Sequence, residues 1–401
     1  MKKIFRGLYD SLIRQQFGKG EIIVLSGHRR AGKSIVLESV AQKYAPDGNI
    51  IYLDMENPQN AEIKDFQDLN VFIQEHTIEN AHNFLLIDEV QEIAEFEKTL
   101  RFYAKQDNLD IVVTGSNAYM LSSEIATLLA GRHHNIHIWG LNYAEFLLFH
   151  KLEDSDNSLL SYMKWGGLPF LHHIPLDDVR SRTDYLESIY NTIFVKDIVT
   201  KKQIRNVTLL DNLVRFMASN TGKIISANSI AKYLKNVYAS FSTNTVADYI
   251  HALCDSYLMD KVNRYDIKGK RIFEQQEKYY FEDIGIRNCL CVDNHHFDLE
   301  KIMENLVYIK LKQLGFNVYI GELNGKEIDF VVKNGTDLRY VQVTLQISSP
   351  ETYGREYGNL KMIRDNYPKY VITMDKIAEL VNDEGIKTLS FRQFLKNGFE
   401  E

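Results

Sequence analysis

The chain of 401 residues carries 47 Lys and Arg against 54 Asp and Glu, a formal net charge of −7, and is 45% apolar. That balance describes a globular protein of about two to four domains, and excludes one that coats nucleic acid over its whole surface while leaving room for one basic face. No stretch approaches the roughly 18 apolar residues of a transmembrane helix, and the basic start MKKIFRGLYDSLIRQQFGKG lacks the apolar core of a signal peptide.

Cys254, Cys289 and Cys291 form no C-x-x-C pair, so neither a disulfide framework nor a zinc knuckle is expected, and a reducing cytoplasm fits. Six prolines, no Gly/Ser-rich tract and no internal repeat argue against long linkers and repeat arrays.

Five short apolar runs open the chain: 22–26, 50–54, 84–88, 111–114 and 136–139, separated by amphipathic stretches such as 34–44 and 96–105. Continuous apolar runs of this length are strands covered on both faces, and their alternation with helices predicts an α/β fold with a mainly parallel sheet. The first strand runs into Gly27-His28-Arg29-Arg30-Ala31-Gly32-Lys33-Ser34, the G-x-x-x-x-G-K-[ST] pattern of a P-loop NTPase. Its glycines let the backbone curl around phosphate oxygens at a helix N-terminus. Lys33 is expected to reach the β- and γ-phosphates of ATP, and the Ser34 hydroxyl to ligate Mg²⁺. Arg29 and Arg30 face either phosphate or solvent, and His28 is a loop residue rather than a base.

The third run ends Leu86-Ile87-Asp88-Glu89. Asp88 then lies at the strand's C-terminal edge, where open α/β sheets bind ligands, organising the Mg²⁺, while Glu89 polarises the attacking water as general base. The fourth run ends Thr114-Gly115-Ser116-Asn117, and any of its three polar residues could touch the γ-phosphate or the water; Ser116 joins Glu89, Lys33, Asp88 and Arg132 in the expected catalytic set. Arg132, before the fifth run, is a candidate for stabilising transition-state charge in its own chain or in a neighbour's. The pairs His133-His134 and His295-His296 lack the spacing of metal ligands.

Residues 141–200 read as a helical lid: Tyr143–His150, Ser158–Lys164 and a run from Asp177 to Thr200, broken at Gly166-Gly167-Leu168-Pro169. From 201 to 283, helix (226–234), turn (237–242), helix (243–256) and two strands (258–265 and 278–282) joined by Lys268-Gly269-Lys270-Arg271 form a winged-helix pattern. This stretch has 13 basic against 9 acidic residues, although its second helix carries Asp248 and Asp255 and no Lys or Arg. Winged helices bind DNA or dock proteins, and both partners are open here.

Residues 284–401 outline a restriction-endonuclease-like α/β domain. Glu304 lies on a helix, Asp329 on one strand and Gln342 on the next. Such a set holds Mg²⁺ for phosphodiester attack when a lysine accompanies it, but Thr344 fills the lysine position, so cleavage is not expected.

With Gly27–Ser34, Leu85–Glu89, Thr114-Gly115-Ser116, Ala130-Gly131-Arg132, Gly166–Pro169, Phe281–Gly285, Glu327–Phe330 and Asn366-Tyr367-Pro368-Lys369 in this order, the chain resembles a large uncharacterised bacterial and archaeal ATPase family. Its members join an AAA-type core to a C-terminal domain of unknown function with an endonuclease-like core. The patterns together predict an AAA/RecA-like core over 1–140, then lid, winged helix and endonuclease-like domain over 141–200, 201–283 and 284–401, and the paired motifs predict ATP hydrolysis. The resemblance implies ATP binding and a DNA-related or regulatory role; an oligomer is compatible with it.

Overall fold

The structure is a computed structural model. It describes all residues except 1–3, 5, 116–128, 130, 236–241, 292–297, 348–349, 376–384 and 401. The chain divides into two compact units, one of residues 1–139 with 255–257, the other of 140–254 with 258–401.

The first unit is built on β1 (Ile22–Ser26), β2 (Asn49–Asp54), β3 (Asn83–Asp88), β4 (Leu109–Thr114) and β5 (His133–His137), all parallel, in the order β2-β3-β4-β1-β5. β1, β3 and β4 are buried along their whole length, which is why they read as unbroken apolar runs. Alternate residues supply two cores, one per face. Ile22, Val24, Leu85, Ile87, Ile111 and Val113 pack on α3 (Phe66–His76) and α4 (Phe96–Tyr103). Ile23, Leu25, Phe84, Leu86 and Val112 pack on α1 (Gly7–Arg14) and α2 (Lys33–Tyr44).

β5 corrects the expected 136–139. Its register places His133 beside Ile22 and His137 beside Ser26. As an edge strand it is only half-buried at His133, His134 and Asn135, so its polar first half hides it from a search for apolar runs.

The second unit begins with α5 (Tyr143–His150), whose capping box is complete: Glu145 N donates to Asn142 Oδ1 at 2.9 Å and Asn142 N to Glu145 Oε2 at 3.0 Å. α6 (Asp156–Trp165) ends at Gly166, φ +74, a conformation open to glycine. The expected helix over 177–200 is two pieces, α7 (Val179–Thr192) and a π-helix over Ile193–Thr200. Then follow α8 (Val207–Ser219), α9 (Ala227–Lys235), α10 (Thr243–Asp255), the antiparallel pair β6 (Met259–Asp266) and β7 (Arg271–Phe281), and α11 (Ile284–Leu290). One apolar core runs through α7, the π-helix, α8, α10 and α11, and reaches Leu258, Met259, Tyr279 and Phe281 of the hairpin region.

Residues 140–200 also tie to the later chain. Gly167 N donates to Asp283 Oδ2 at 2.8 Å, and Arg392 and Lys396 hold Asp154 and Asp156. The hairpin, expected as a two-stranded wing, is the edge of a larger sheet. With α12 (Leu299–Gln313), β8 (Asn317–Leu323), β9 (Lys326–Asn334), β10 (Asp337–Thr344), α13 (Pro350–Lys361), β11 (Lys369–Thr373), β12 (Ile386–Ser390) and α14 (Phe391–Asn397), it gives a seven-stranded sheet ordered β12-β11-β10-β9-β8-β6-β7. β6 pairs parallel with β8, Arg264 beside Ile320, so strands on both sides of residue 283 share one sheet.

Candidate functional site

Gly27 follows β1 with φ +136, and a Cβ there would lie 2.4 Å from the Ile138 carbonyl oxygen, so only glycine lets the chain turn beneath the end of β5. Gly32, φ +101, is the N-cap of α2 and starts the helix at Lys33. The positive end of the helix dipole therefore coincides with the loop. His28 and Ala31 are buried, Arg29 is half-buried and Arg30, φ +67, is exposed. The Lys33 ammonium is buried and donates to the carbonyls of Gly27 at 3.0 Å and His28 at 3.1 Å.

The loop is also held from outside the motif. Arg6 Nη1 donates to the Trp139 carbonyl at 2.5 Å and the Ala31 carbonyl at 3.4 Å. Its guanidinium lies 4.6 Å from the centre of the Tyr9 ring, and Trp139 N donates to the Tyr9 hydroxyl at 3.0 Å. No local pattern marks Arg6, because its partners lie 25 and 133 residues away.

Asp88 ends β3, buried, with Asp54 beside it in register on β2. Two hydroxyls converge on its carboxylate. Thr114 Oγ1, at the end of β4, donates to Oδ1 at 2.5 Å, and Ser34 hydrogen-bonds it from the start of α2. The Thr114 hydroxyl also accepts Glu89 N at 2.8 Å, so one side chain fixes both acidic residues. Burial pushes the Asp88 carboxyl up, the two hydroxyls favour its charged form, and Glu89 and Asp54 oppose it. Glu89 adopts φ +55, ψ +52, a left-handed conformation that costs a non-glycine residue about 1–3 kcal/mol. Gln91 Nε2 donates to its carboxylate. Gln91 lies two residues beyond the motif, near enough in sequence for a local search to include it.

The structure thus brings Ser34, Asp88, Glu89 and Thr114 together beside the loop. Ser116, Asn117 and Ala130 lie outside the described residues, as do His295 and His296. Arg132 is exposed and lies at the other end of the sheet. Its carbonyl accepts Ile22 N at 3.0 Å, at the start of β1, while the loop follows the strand's far end. The five residues of β1 span on the order of 15 Å, so Arg132 is not among the residues brought to the loop within its own chain. Sequence distance to a strand does not say which end of it a residue reaches.

In the second unit Glu304 lies on α12, Asp329 on β9, and Gln342 and Thr344 on β10. Asp329 N donates to Gln342 Oε1 at 2.9 Å, and the Thr344 hydroxyl donates to the Gln346 carbonyl at 3.3 Å.

A parallel sheet in this order, with a glycine-bracketed loop opening a helix and an acid-ended strand one place removed, defines an α/β P-loop NTPase fold. Residues 19–147 match the family described as an AAA domain, and residues 156–296 a domain of unknown function (DUF8612). A Walker-type ATPase of Pyrococcus abyssi shares the fold, with a TM-score of 0.50 and 14% identity over 72% of this chain and 96% of that one. The chain belongs to a family of uncharacterised AAA-type proteins. An uncharacterized protein of Haemophilus influenzae is 33% identical over 378 residues, covering 92% of each chain. An uncharacterized protein of Methanocaldococcus jannaschii is 28% identical over 392 residues, covering 92% of this chain and 84% of that one. Among the described residues no helix is long and apolar enough to cross a membrane.

Proposed function

We propose that this chain is a Mg²⁺-dependent ATPase. The observation that carries the reading is the convergence of the Ser34 and Thr114 hydroxyls on the Asp88 carboxylate beside a loop that already encloses the Lys33 ammonium. A hydroxyl and a carboxylate are the hard oxygen donors that suit Mg²⁺, so Ser34 and Asp88 would hold the ion, which neutralises phosphate charge when bound. Residues Gly27 to Ser34 would cradle the phosphates, with Lys33 exchanging its two carbonyl partners for phosphate oxygens. Glu89, its backbone fixed through Thr114, would accept the proton of the attacking water, and Gln91 orients its carboxylate.

Phosphate release measured on wild type, Lys33→Ala and Glu89→Gln tests the reading. Turnover lost in both variants with ATP still bound by Glu89→Gln is the expected pattern. A wild-type protein with no turnover, alone or with DNA, overturns the enzyme assignment.

A second reading, a nucleotide-gated switch that binds DNA or a protein through residues 201–283, draws on one observation. Lys268, Lys270 and Arg271 are all exposed at the β6–β7 turn, although Arg271 also faces Asp266 at 3.5 Å. A gel shift in ATP, ADP and no nucleotide separates the readings. DNA affinity that changes with the nucleotide and falls steeply with salt favours the switch, and affinity indifferent to nucleotide removes it.

A further inference from the structure

The nuclease outline of the second unit contains a residue its sequence motif lacks. Lys278, on the hairpin strand β7, is 3% exposed. Its ammonium contacts Glu304 Oε1 of α12 at 2.8 Å and Glu327 Oε1 of β9 at 2.7 Å. Asp329 is near enough to add to the same field, and the three carboxylates together hold Lys278 strongly protonated despite its burial. The Tyr280 hydroxyl, two residues along β7, donates to the same Glu304 oxygen at 2.6 Å.

The remaining groups of the outline are engaged as well. Asp329 Oδ2 accepts Val343 N at 2.8 Å. The Gln342 carbonyl accepts Asp329 N, and its amide donates to Glu356 Oε2 at 2.7 Å, while Arg355 closes the other side of Glu356 at 2.6 Å. Burial and the neighbouring Glu304 push the Asp329 carboxyl well up, against the pull of Lys278. On the Glu304 side, Gly222 with φ +75 approaches so closely that a Cβ there would lie 3.0 Å from the carboxylate oxygen. Like charges this close, and only partly open to water, are relieved by a neighbouring cation or a neutralising proton.

We infer that Lys278, delivered by the hairpin strand, is the permanent cation of the Glu304–Glu327–Asp329 group, taking up the charge that a nuclease would give to a divalent ion, so that this domain hydrolyses no phosphodiester bond. A lysine at position 344 would reach such a group from β10, whereas here the ammonium enters from the opposite side of the sheet order and pins β7, α12 and β9 together. The inference is independent of nucleotide binding.

Counting bound Mn²⁺ by electron paramagnetic resonance on the full chain without nucleotide tests it, because any Mn²⁺ at the P-loop is common to every variant. Wild type and Asp329→Asn are expected to bind equal numbers of ions. Lys278→Met is expected to gain one ion per chain, lost again in the Lys278→Met/Asp329→Asn double variant. An ion lost from the wild-type background on Asp329→Asn overturns the inference, as does plasmid cleavage in Mn²⁺ that Asp329→Asn abolishes. A folded Lys278→Met protein that gains no ion, or gains one that Asp329→Asn leaves in place, overturns it too. If Lys278→Met does not fold, wild type against Asp329→Asn decides alone: equal ion counts with intact plasmid uphold the inference, and a lost ion ends it.

Discussion

Two lysines in this molecule are buried near acidic residues carried on strands, and their partners differ. Lys33 is held by the carbonyls of Gly27 and His28, while the nearby Asp88 is held by hydroxyls. Lys278 is held by Glu304 and Glu327 themselves. A cation on neutral dipoles can exchange them for an anion at modest cost, whereas a buried cation paired with two part-buried carboxylates can leave only by stranding them. The contrast separates a group of charges arranged to receive a ligand from one already closed on itself.

The largest effect that would sharpen this contrast is kinetic. Glu89→Gln is expected to lower phosphate release about 10²–10⁴-fold, the loss typical of a general base, with ATP affinity kept. An unchanged rate would leave the first group without its assigned chemistry. Next comes folding stability in urea. Lys278→Met is expected to cost about 3 kcal/mol, the low end for a buried ion pair because Glu304 and Glu327 are only part-buried, whereas Lys33→Met removes hydrogen bonds to carbonyls and costs about 1 kcal/mol. Equal losses would break the comparison.

Arg182 extends the contrast to a third buried cation. Its guanidinium donates to the carbonyls of Leu171, Ile174 and Pro175, and its charge, after burial, helps to hold His150 down at about 4 against an ordinary 6.5. The folded chain therefore keeps His150 neutral over a range in which the unfolded chain protonates it. This contribution is complete above about pH 6.5 and is lost as pH falls from 6.5 towards 4. His150→Phe should flatten that part of the stability curve; a slope that survives the substitution assigns it to another group. Thr114→Val is expected to cost about 1–3 kcal/mol, since the change leaves Glu89 N without its acceptor and Asp88 with the Ser34 hydroxyl but not that of Thr114. Its turnover should fall alongside, and a fully active Thr114→Val protein would detach Thr114 from the site.

Much of the first unit was legible in the sequence. The apolar run 22–26 coincides with β1, and the loop and the acid-ended strand are contiguous motifs whose residues meet because a parallel sheet sets strand ends side by side. β5 differs from the expected 136–139 because an edge strand shows water its polar residues and carries no unbroken apolar run. The Lys278 group was illegible for a different reason. Its members come from a hairpin, a helix and a further strand, and only the parallel pairing of β6 with β8 brings the hairpin to the others. The motif names Glu304, Asp329 and Gln342 but points for their cation to position 344, where Thr344 stands. Arg6 reaches the loop by the same kind of long-range contact.

The path of the chain has a consequence for how the protein is made. Asp255–Tyr257 belongs to the first unit, where the Tyr257 ring lies 5.0 Å from that of His137 on β5. A fragment cut at residue 139 would therefore lack a piece of its own wall and bare the side of His137 that Tyr257 covers. On the ribosome, too, the first body cannot be finished until more than a hundred further residues have emerged, so the amino-terminal third waits on the middle of the chain to complete it.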